Sequence, residues 1–376
     1  MKNKTPYDPV VIITVALLVT TGIIMVFSSS FSYAMVDLGD GYYFLKRIII
    51  WAIIGVFAMY FCAKFNYRNW TKYANIILLI SIILLILVIT PLGKEVNGAK
   101  RWIAIGPITV MPSEITKFAA IIFVSTSITR KRDKMESFFH GVVPYLILSG
   151  IFFLLIKEQP DYSTALVIVL IIISMIFVGG MKLSHFIGLA LSGSIAFVGL
   201  LFYIVKHGKG YRAKRLTAFL DPWADPTDSG FQAIQSLLAL GSGGLFGKGL
   251  GRSIQKHFYL PEPQNDFIFA IIGEELGFIG GVFVIILFML LIWRGIRIAM
   301  YAPDLLGCVM ATGITCMLII QVLINIAVAT SSMPVTGIPL PFISFGGNAL
   351  VIFMASMGIL LNISKGGFIY VQTCMC

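Results

Sequence analysis

Charged side chains are scarce in this 376-residue sequence: Asp, Glu, Lys and Arg make up 12% of it, about half the ~25% of a soluble globular domain. That shortage, beside 58% hydrophobic residues, argues against a soluble protein, and the apolar content equally excludes a disordered chain. The 36 glycines and 15 prolines are too few for a low-complexity chain. Cysteine is confined to Cys62, Cys308, Cys316, Cys374 and Cys376, with none of the paired spacings of a zinc site or disulfide framework. Cys308 and Cys316 sit inside an apolar run and read as small hydrophobes. His140, His185, His207 and His257 share no metal-ligand spacing, so a zinc enzyme is poorly supported. A hydrolase elbow is missing too, because Phe342 and Leu240 stand two residues before Ser344 and Ser242, where that motif needs glycine. No internal repeat is visible, which disfavours a transporter built from inverted halves.

What the sequence has in abundance is long apolar runs. Ten segments are long and apolar enough to cross a bilayer, at about 9–29, 45–62, 72–91, 113–129, 139–157, 163–179, 185–205, 267–293, 305–329 and 348–363. The first is longer than a signal-peptide core and reads as a retained span. The predicted fold class is therefore an all-α polytopic membrane protein of about ten transmembrane helices, forming one domain over residues 1–376. The net charge of +11 fits cytoplasmic loops and anionic lipid or phosphate better than nucleic acid, which is not expected as a partner. Basic residues such as Lys64, Arg68, Arg130, Lys131, Arg132, Lys134, Arg294 and Arg297 gather on the N-terminal side, whereas the opposite short loops hold only Lys46, Arg47, Lys94, Lys100, Arg101 and Lys157. Both termini are thus placed inside. The large loop of about 206–265, between helices 7 and 8, then falls outside. It opens on a basic run, passes DPWADPTDSG, a short apolar stretch FQAIQSLLAL that could be helical, and GSGGLFGKGLG, and ends in YLPEPQNDFIF. A loop of this length is usually functional.

Several residues stand out as chemistry. GSGGLFGKGLG fails the Walker A template, with Ser242 where the first glycine belongs and Gly249 after Lys248. Its glycines either make tight turns and close helix contacts, or present backbone amides and Lys248 to a lipid phosphate. Glu114 and Lys117 lie three apart in PSEITKF; they either cap a helix start and snorkel outward, or form a buried pair lining a polar cavity. Asp266 either complements a helix N-terminus or serves as a general base at the mouth of the bundle. Asp161 could be a second acid or the partner of a loop arginine. Glu262 in LPEP, and Glu274 and Glu275 two turns beyond Asp266, are further carboxylates at the same boundary. In GAKRWIAIG, Lys100, Arg101 and Trp102 form either an interfacial anchor or a site where Trp102 stacks on a sugar and the two cations take a phosphate.

Taken together, GAKRWIAIG, MPSEITK, KEQPDYSTA, DPWADPTDSGFQ, QSLLALGSGGLFGKGLG, HFYLPEPQNDFIFAIIGEELGFIGG and GIPLPFISFGG, in this order, resemble the SEDS family of FtsW, RodA and SpoVE proteins, and the FtsW and SpoVE branch in particular. The resemblance runs from the first span to about Ser364. It implies a glycosyltransferase that polymerises lipid II on the outer face of the bacterial cytoplasmic membrane, in division or sporulation. The implied partners are a class B penicillin-binding protein that crosslinks the product and other division or sporulation membrane proteins. By the same resemblance Asp266 is the catalytic base, and Trp102, Glu114 and Lys117 fall on the family's motif positions; with them, Arg101, Lys100, Asp161, Lys248, Glu262 and Ser344 are the residues expected to bind substrate. The transfer inverts without a covalent enzyme intermediate, and a divalent cation (Mg or Mn) or the basic loops meet the pyrophosphate. A lipid II flippase and a noncatalytic scaffold are the alternatives. The sequence departs from the family pattern at Met111, Tyr162, Ser163, Asn265, Phe345, Asn348 and Ala349, none of which removes a charged site residue. The tail 365–376 lacks the usual basic extension and is assigned no role.

Overall fold

The computed structural model describes residues 7–96, 99–106, 108–207, 219–227, 230–257 and 259–373. Each of the ten expected spans is a helix: α1 Pro9–Asp37, α2 Tyr43–Lys64, α3 Trp70–Ile89, α4 Pro112–Arg130, α5 Val143–Lys157, α6 Tyr162–Val178, α7 Leu183–His207, α9 Ile268–Met300, α10 Leu305–Ala329 and α11 Gly347–Thr373. The short helix α8, Phe231–Ser242, forms from the apolar stretch of the large loop. The basic residues Lys209, Arg212, Lys214 and Arg215 of that loop lie outside the described residues, as do Cys374 and Cys376 in the tail.

Among the described residues, seven helical segments are long and apolar enough, by length and composition, to cross a membrane. Two of the expected spans outside this set, α4 and α6, depart for visible reasons. α6 has 17 residues, a rise of about 26 Å. α4 gives its buried face to Ser113, Glu114, Thr116, Lys117, Ser125 and Thr126, so it belongs inside the bundle rather than against lipid. α10 and α11 are also largely buried, whereas α2 and α3 turn Ile50, Ile53, Phe57, Ile76, Leu79 and Ile83 outward, where only a bilayer makes such exposure favourable. Small residues let the inner helices approach. α11 packs along α2, and a Cβ on Gly358 would strike the Met59 carbonyl. The polar residues that dilute the apolar signal of α11 are ties: Asn362 donates to the Ala63 carbonyl at 2.7 Å and accepts from the Tyr67 N–H at 2.9 Å.

Two features were not expected. The segment after α3 folds into a three-stranded antiparallel sheet in the order β1 (Gly93–Val96), β2 (Ala99–Ile105), β3 (Ile108–Val110), with Lys94 opposite Trp102 and Ile103 opposite Val110. And α9 is broken at Gly277 (φ 70°, ψ −168°), a conformation essentially reserved for glycine. The break is filled by the glycine-rich loop after α8. Lys248 and Gly249 donate their N–H groups to the Glu274 and Glu275 carbonyls at 3.0 and 2.9 Å, while Phe278 and Ile279 donate to Gly244 and Leu245 at 2.9 and 3.2 Å. The two chains pass so closely that a Cβ on Gly243 would strike the Gly273 carbonyl. Tight turns and close helix contacts are therefore what these glycines provide.

Candidate active site

A cavity of about 560 Å³ opens at the end of the bundle where α2, α4, α6, α9 and α11 begin. Its wall takes Arg47 and Trp51 from α2, Arg101 and Trp102 from β2, Glu114 and Lys117 from α4, Gln321 from α10, and the turns 261–267 and 335–349. The sequence therefore picked out six residues that meet here: Arg101, Trp102, Glu114, Lys117, Glu262 and Asp266.

Asp266 immediately precedes α9, and the backbone leading to it is anchored carbonyl by carbonyl. Gln264 O accepts from the Phe345 N–H at 2.9 Å, Asn265 O from the Ser344 hydroxyl at 2.7 Å, and Asp266 O from the Asn325 amide at 2.9 Å. The same Asn325 amide donates to the Ile338 carbonyl at 2.8 Å, and Ser344 Oγ accepts from Leu340 N–H at 2.7 Å. The loop 337–345 is thereby locked to the Asp266 turn. Gly337, at φ +77°, carries that loop past the carboxylate so closely that a Cβ there would lie 3.5 Å from Asp266 Oδ2. Glu262 takes a left-handed backbone (φ 45°) to turn the chain, and its carboxylate accepts from Asn265 Nδ2 at 2.7 Å. A carboxylate held on so fixed a backbone has the preorganisation that general-base chemistry requires.

Deeper in, Lys117 Nζ donates to Glu114 Oε1 at 2.7 Å, with 2% and 4% of the side chains exposed. The buried pair is the arrangement present; the snorkelling lysine is not. On the opposite wall the Arg101 guanidinium donates to the carbonyls of Gln159 and Pro160, fixing the sheet against the α5–α6 turn. Arg47 lies over the Tyr43 ring at 4.4 Å. Two guanidiniums and two indoles thus line one cavity with Asp266, a set suited to a phosphorylated sugar.

Four expected site residues stand elsewhere. Lys248 pairs with Glu274 at 2.8 Å beside the α9 break. Lys100 is exposed on β2, opposite Glu95. Asp161 is buried and caps α6 by accepting from Thr164 N–H at 3.2 Å. Ser344 spends its hydroxyl on the loop contacts just described. Glu274 and Glu275, completely buried, are held by Lys248, Lys256, Ser28 and Ser253, away from the cavity. Conversely, sequence reasoning passed over Arg47, Trp51, Asn325 and Gln321. The available signal was polarity inside an apolar run, as in LIIQVLIN. Among the described residues no group of three His, Cys, Asp or Glu is placed to hold a metal ion.

The sequence pattern of the FtsW, RodA and SpoVE family, described as cell cycle proteins, matches residues 8–367. The chain is 48% identical over 364 residues to stage V sporulation protein E of Bacillus subtilis, covering 96% of this chain and 98% of that protein. It is 41% identical over 365 residues to a protein of a Geobacter species named probable peptidoglycan glycosyltransferase FtsW, covering 97% and 98%. Its fold is similar to a chain from a structure described as the structural coordination of polymerization and crosslinking by a peptidoglycan synthase complex, with TM-score 0.78, 27% identity and coverage of 96% and 98%. It also resembles the rod shape determining protein RodA of Thermus thermophilus, with TM-score 0.71, 26% identity and coverage of 97% and 99%.

Proposed function

The chain belongs to the FtsW, RodA and SpoVE family of cell cycle proteins, and from that premise we propose that it is a peptidoglycan glycosyltransferase polymerising lipid II at the outer face of the bacterial cytoplasmic membrane. The observation that carries this reading is the cavity itself: one anchored carboxylate, Asp266, shares its wall with Arg47, Arg101, Trp51 and Trp102. In the reaction, Asp266 takes the proton of the acceptor sugar hydroxyl as that oxygen bonds to the anomeric carbon of the donor. The anomeric bond to undecaprenyl pyrophosphate breaks, and the leaving group departs with the electron pair. Arg47 and Arg101 meet its negative charge, and Trp102 supports a sugar face. Configuration inverts, because one displacement occurs. The excess of basic residues in the loops at the other end of the bundle supports an outer position for this end. A class B penicillin-binding protein is the proposed partner, supported by the similarity to a chain of a peptidoglycan synthase complex.

The test is polymerisation of labelled lipid II by the purified protein with its cognate penicillin-binding protein. Wild type should form polymer, and Asp266→Asn, folded to the same melting temperature, should lose a factor of about 10² to 10⁴ in rate, the usual contribution of a general base. Equal rates for the two would remove Asp266 from the mechanism, and translocation of lipid II without polymer would replace the enzyme with a flippase.

A further inference from the structure

Residues that line the cavity carry polar atoms that the protein leaves without partners. Gln321 is fully buried, and neither its amide nitrogen nor its oxygen has a hydrogen bond; Glu114 Oε2, Asn265 Oδ1 and Thr336 Oγ1 are likewise unpartnered. All four residues line the same cavity. Buried polar atoms are nearly always satisfied, so unpartnered ones on residues that line a cavity point to something else that supplies the bonds.

The chemistry of the cluster selects the occupant. Three of the atoms only accept, one only donates, and the Thr336 hydroxyl does either. A phosphate, all acceptors, would face the Glu114 carboxylate, whereas the guanidiniums that suit it belong to Arg47 and Arg101. A divalent cation would face the Lys117 ammonium, which sits 2.7 Å from the other Glu114 oxygen. What remains is a neutral group rich in O–H and N–H donors with an acceptor beside them. A sugar carrying an acetamido group next to a free hydroxyl has this pattern: its carbonyl accepts from the Gln321 amide, and its O–H and N–H serve the acceptors.

We propose that Gln321, with Glu114, Asn265 and Thr336, forms a saccharide subsite that reads the acetamido and hydroxyl edge of the substrate sugar. The proposal rests on the glycosyltransferase reading above and orients the substrate within it, sugar toward α10 and pyrophosphate toward α2 and β2. Gln321 lies one helical turn before Asn325, the residue that holds the Asp266 carbonyl, a rise of about 6 Å. A sugar ring seated on Gln321 therefore stands beside the carboxylate. Gln321 is in this account a binding and specificity residue.

The experiment compares wild type with Gln321→Leu and Gln321→Glu, each with its transpeptidase partner. Three quantities are read: retention of fluorescent lipid II, polymerisation KM and kcat, and the melting temperature. The substrates are lipid II and an analogue with free amines in place of the acetamido groups. Gln321→Leu should weaken binding and raise KM tenfold or more, with the melting temperature unchanged or higher, because it removes an unsatisfied buried amide. Gln321→Glu, which keeps an acceptor and loses the donor, should fall between. The preference of wild type for the acetylated substrate should shrink to within about threefold in Gln321→Leu. Binding and KM within twofold of wild type would overturn the subsite. So would a melting temperature that falls in step with binding, or binding that disappears on chelating divalent cations. If wild type retains lipid II without polymerising it, the reaction fails while the binding comparison still decides the subsite. If wild type does not retain it, both fall.

Discussion

Two buried carboxylate clusters, one on α4 and one on α9, are built from the same residue types and end in opposite states. On α9, Glu274 accepts from Lys248, Ser253 and the N–H groups of Ile254 and Gln255, and Glu275 from Lys256, Ser28 and the N–H of Ser253. Every oxygen is used. On α4, Glu114 has Lys117 on one oxygen and nothing from the protein on the other. The first cluster ties the glycine-rich loop and α1 to the broken helix; the second faces the cavity. Saturation of hydrogen bonds, rather than burial or charge, is what distinguishes the two clusters.

The largest effect expected from breaking this comparison is on the saturated side. Lys256→Met leaves Glu275 buried with Ser28 and no cation, and uncompensated burial of a charge costs about 3–5 kcal/mol. Unfolding of the detergent-solubilised protein should show that loss, with expression falling alongside. The double variant Glu275→Gln, Lys256→Met should recover most of it, since no charge is then stranded, and should polymerise lipid II at close to the wild-type rate per folded molecule. A double variant that stays folded yet inactive would move this cluster into the site.

The mirror experiment on α4 should give the opposite split. Glu114→Gln with Lys117→Met removes both charges of the pair, so the melting temperature should stay near that of wild type. Substrate retention should fall tenfold or more, because the cavity loses the carboxylate oxygen that meets the sugar. Wild-type binding by this double variant would make the pair a structural element like that of α9.

How far the sequence speaks follows the same division. Apolar runs located all ten long helices, because span length is dictated by the bilayer. Glu114, Lys117 and Asp266 were legible because charge near or inside an apolar run is costly and so informative. The break at Gly277 was hidden, since EELGFIGG reads as continuous helix and the conformation depends on a loop arriving from 30 residues earlier in the chain. The sheet was hidden for another reason: β1 and β3 have four and three residues, too short for alternation to register. Lys248 was misplaced because spacing cannot tell a lysine that meets a ligand from one that meets Glu274. Gln321 and Asn325 fall four apart on one helix face, yet a neutral amide in a long apolar run carries little weight until the structure shows the Asn325 nitrogen donating to two carbonyls and Gln321 making no bond at all.

A third carboxylate pair sharpens the comparison from the solvent side. Asp40 and Lys46 meet at 2.8 Å between α1 and α2, with 40% and 66% of their side chains exposed. The Lys46 hydrogen bond, with the Tyr42 N–H, holds the Asp40 carboxyl below its ordinary value. Water can satisfy either group when the other is removed, so an exposed pair of this kind contributes little. The sign is fixed all the same: a lowered carboxyl stabilises the fold at pH values above the ordinary Asp range and loses that contribution as the pH falls through the depressed value. Asp40→Asn should therefore leave the melting temperature at neutral pH almost unchanged, any small deficit should vanish in acid, and lipid II polymerisation should be unaffected. A large drop at neutral pH would mean that exposure does not protect a pair from the stranded-charge penalty assigned to Lys256→Met, and that burial is not what sets the size of that penalty.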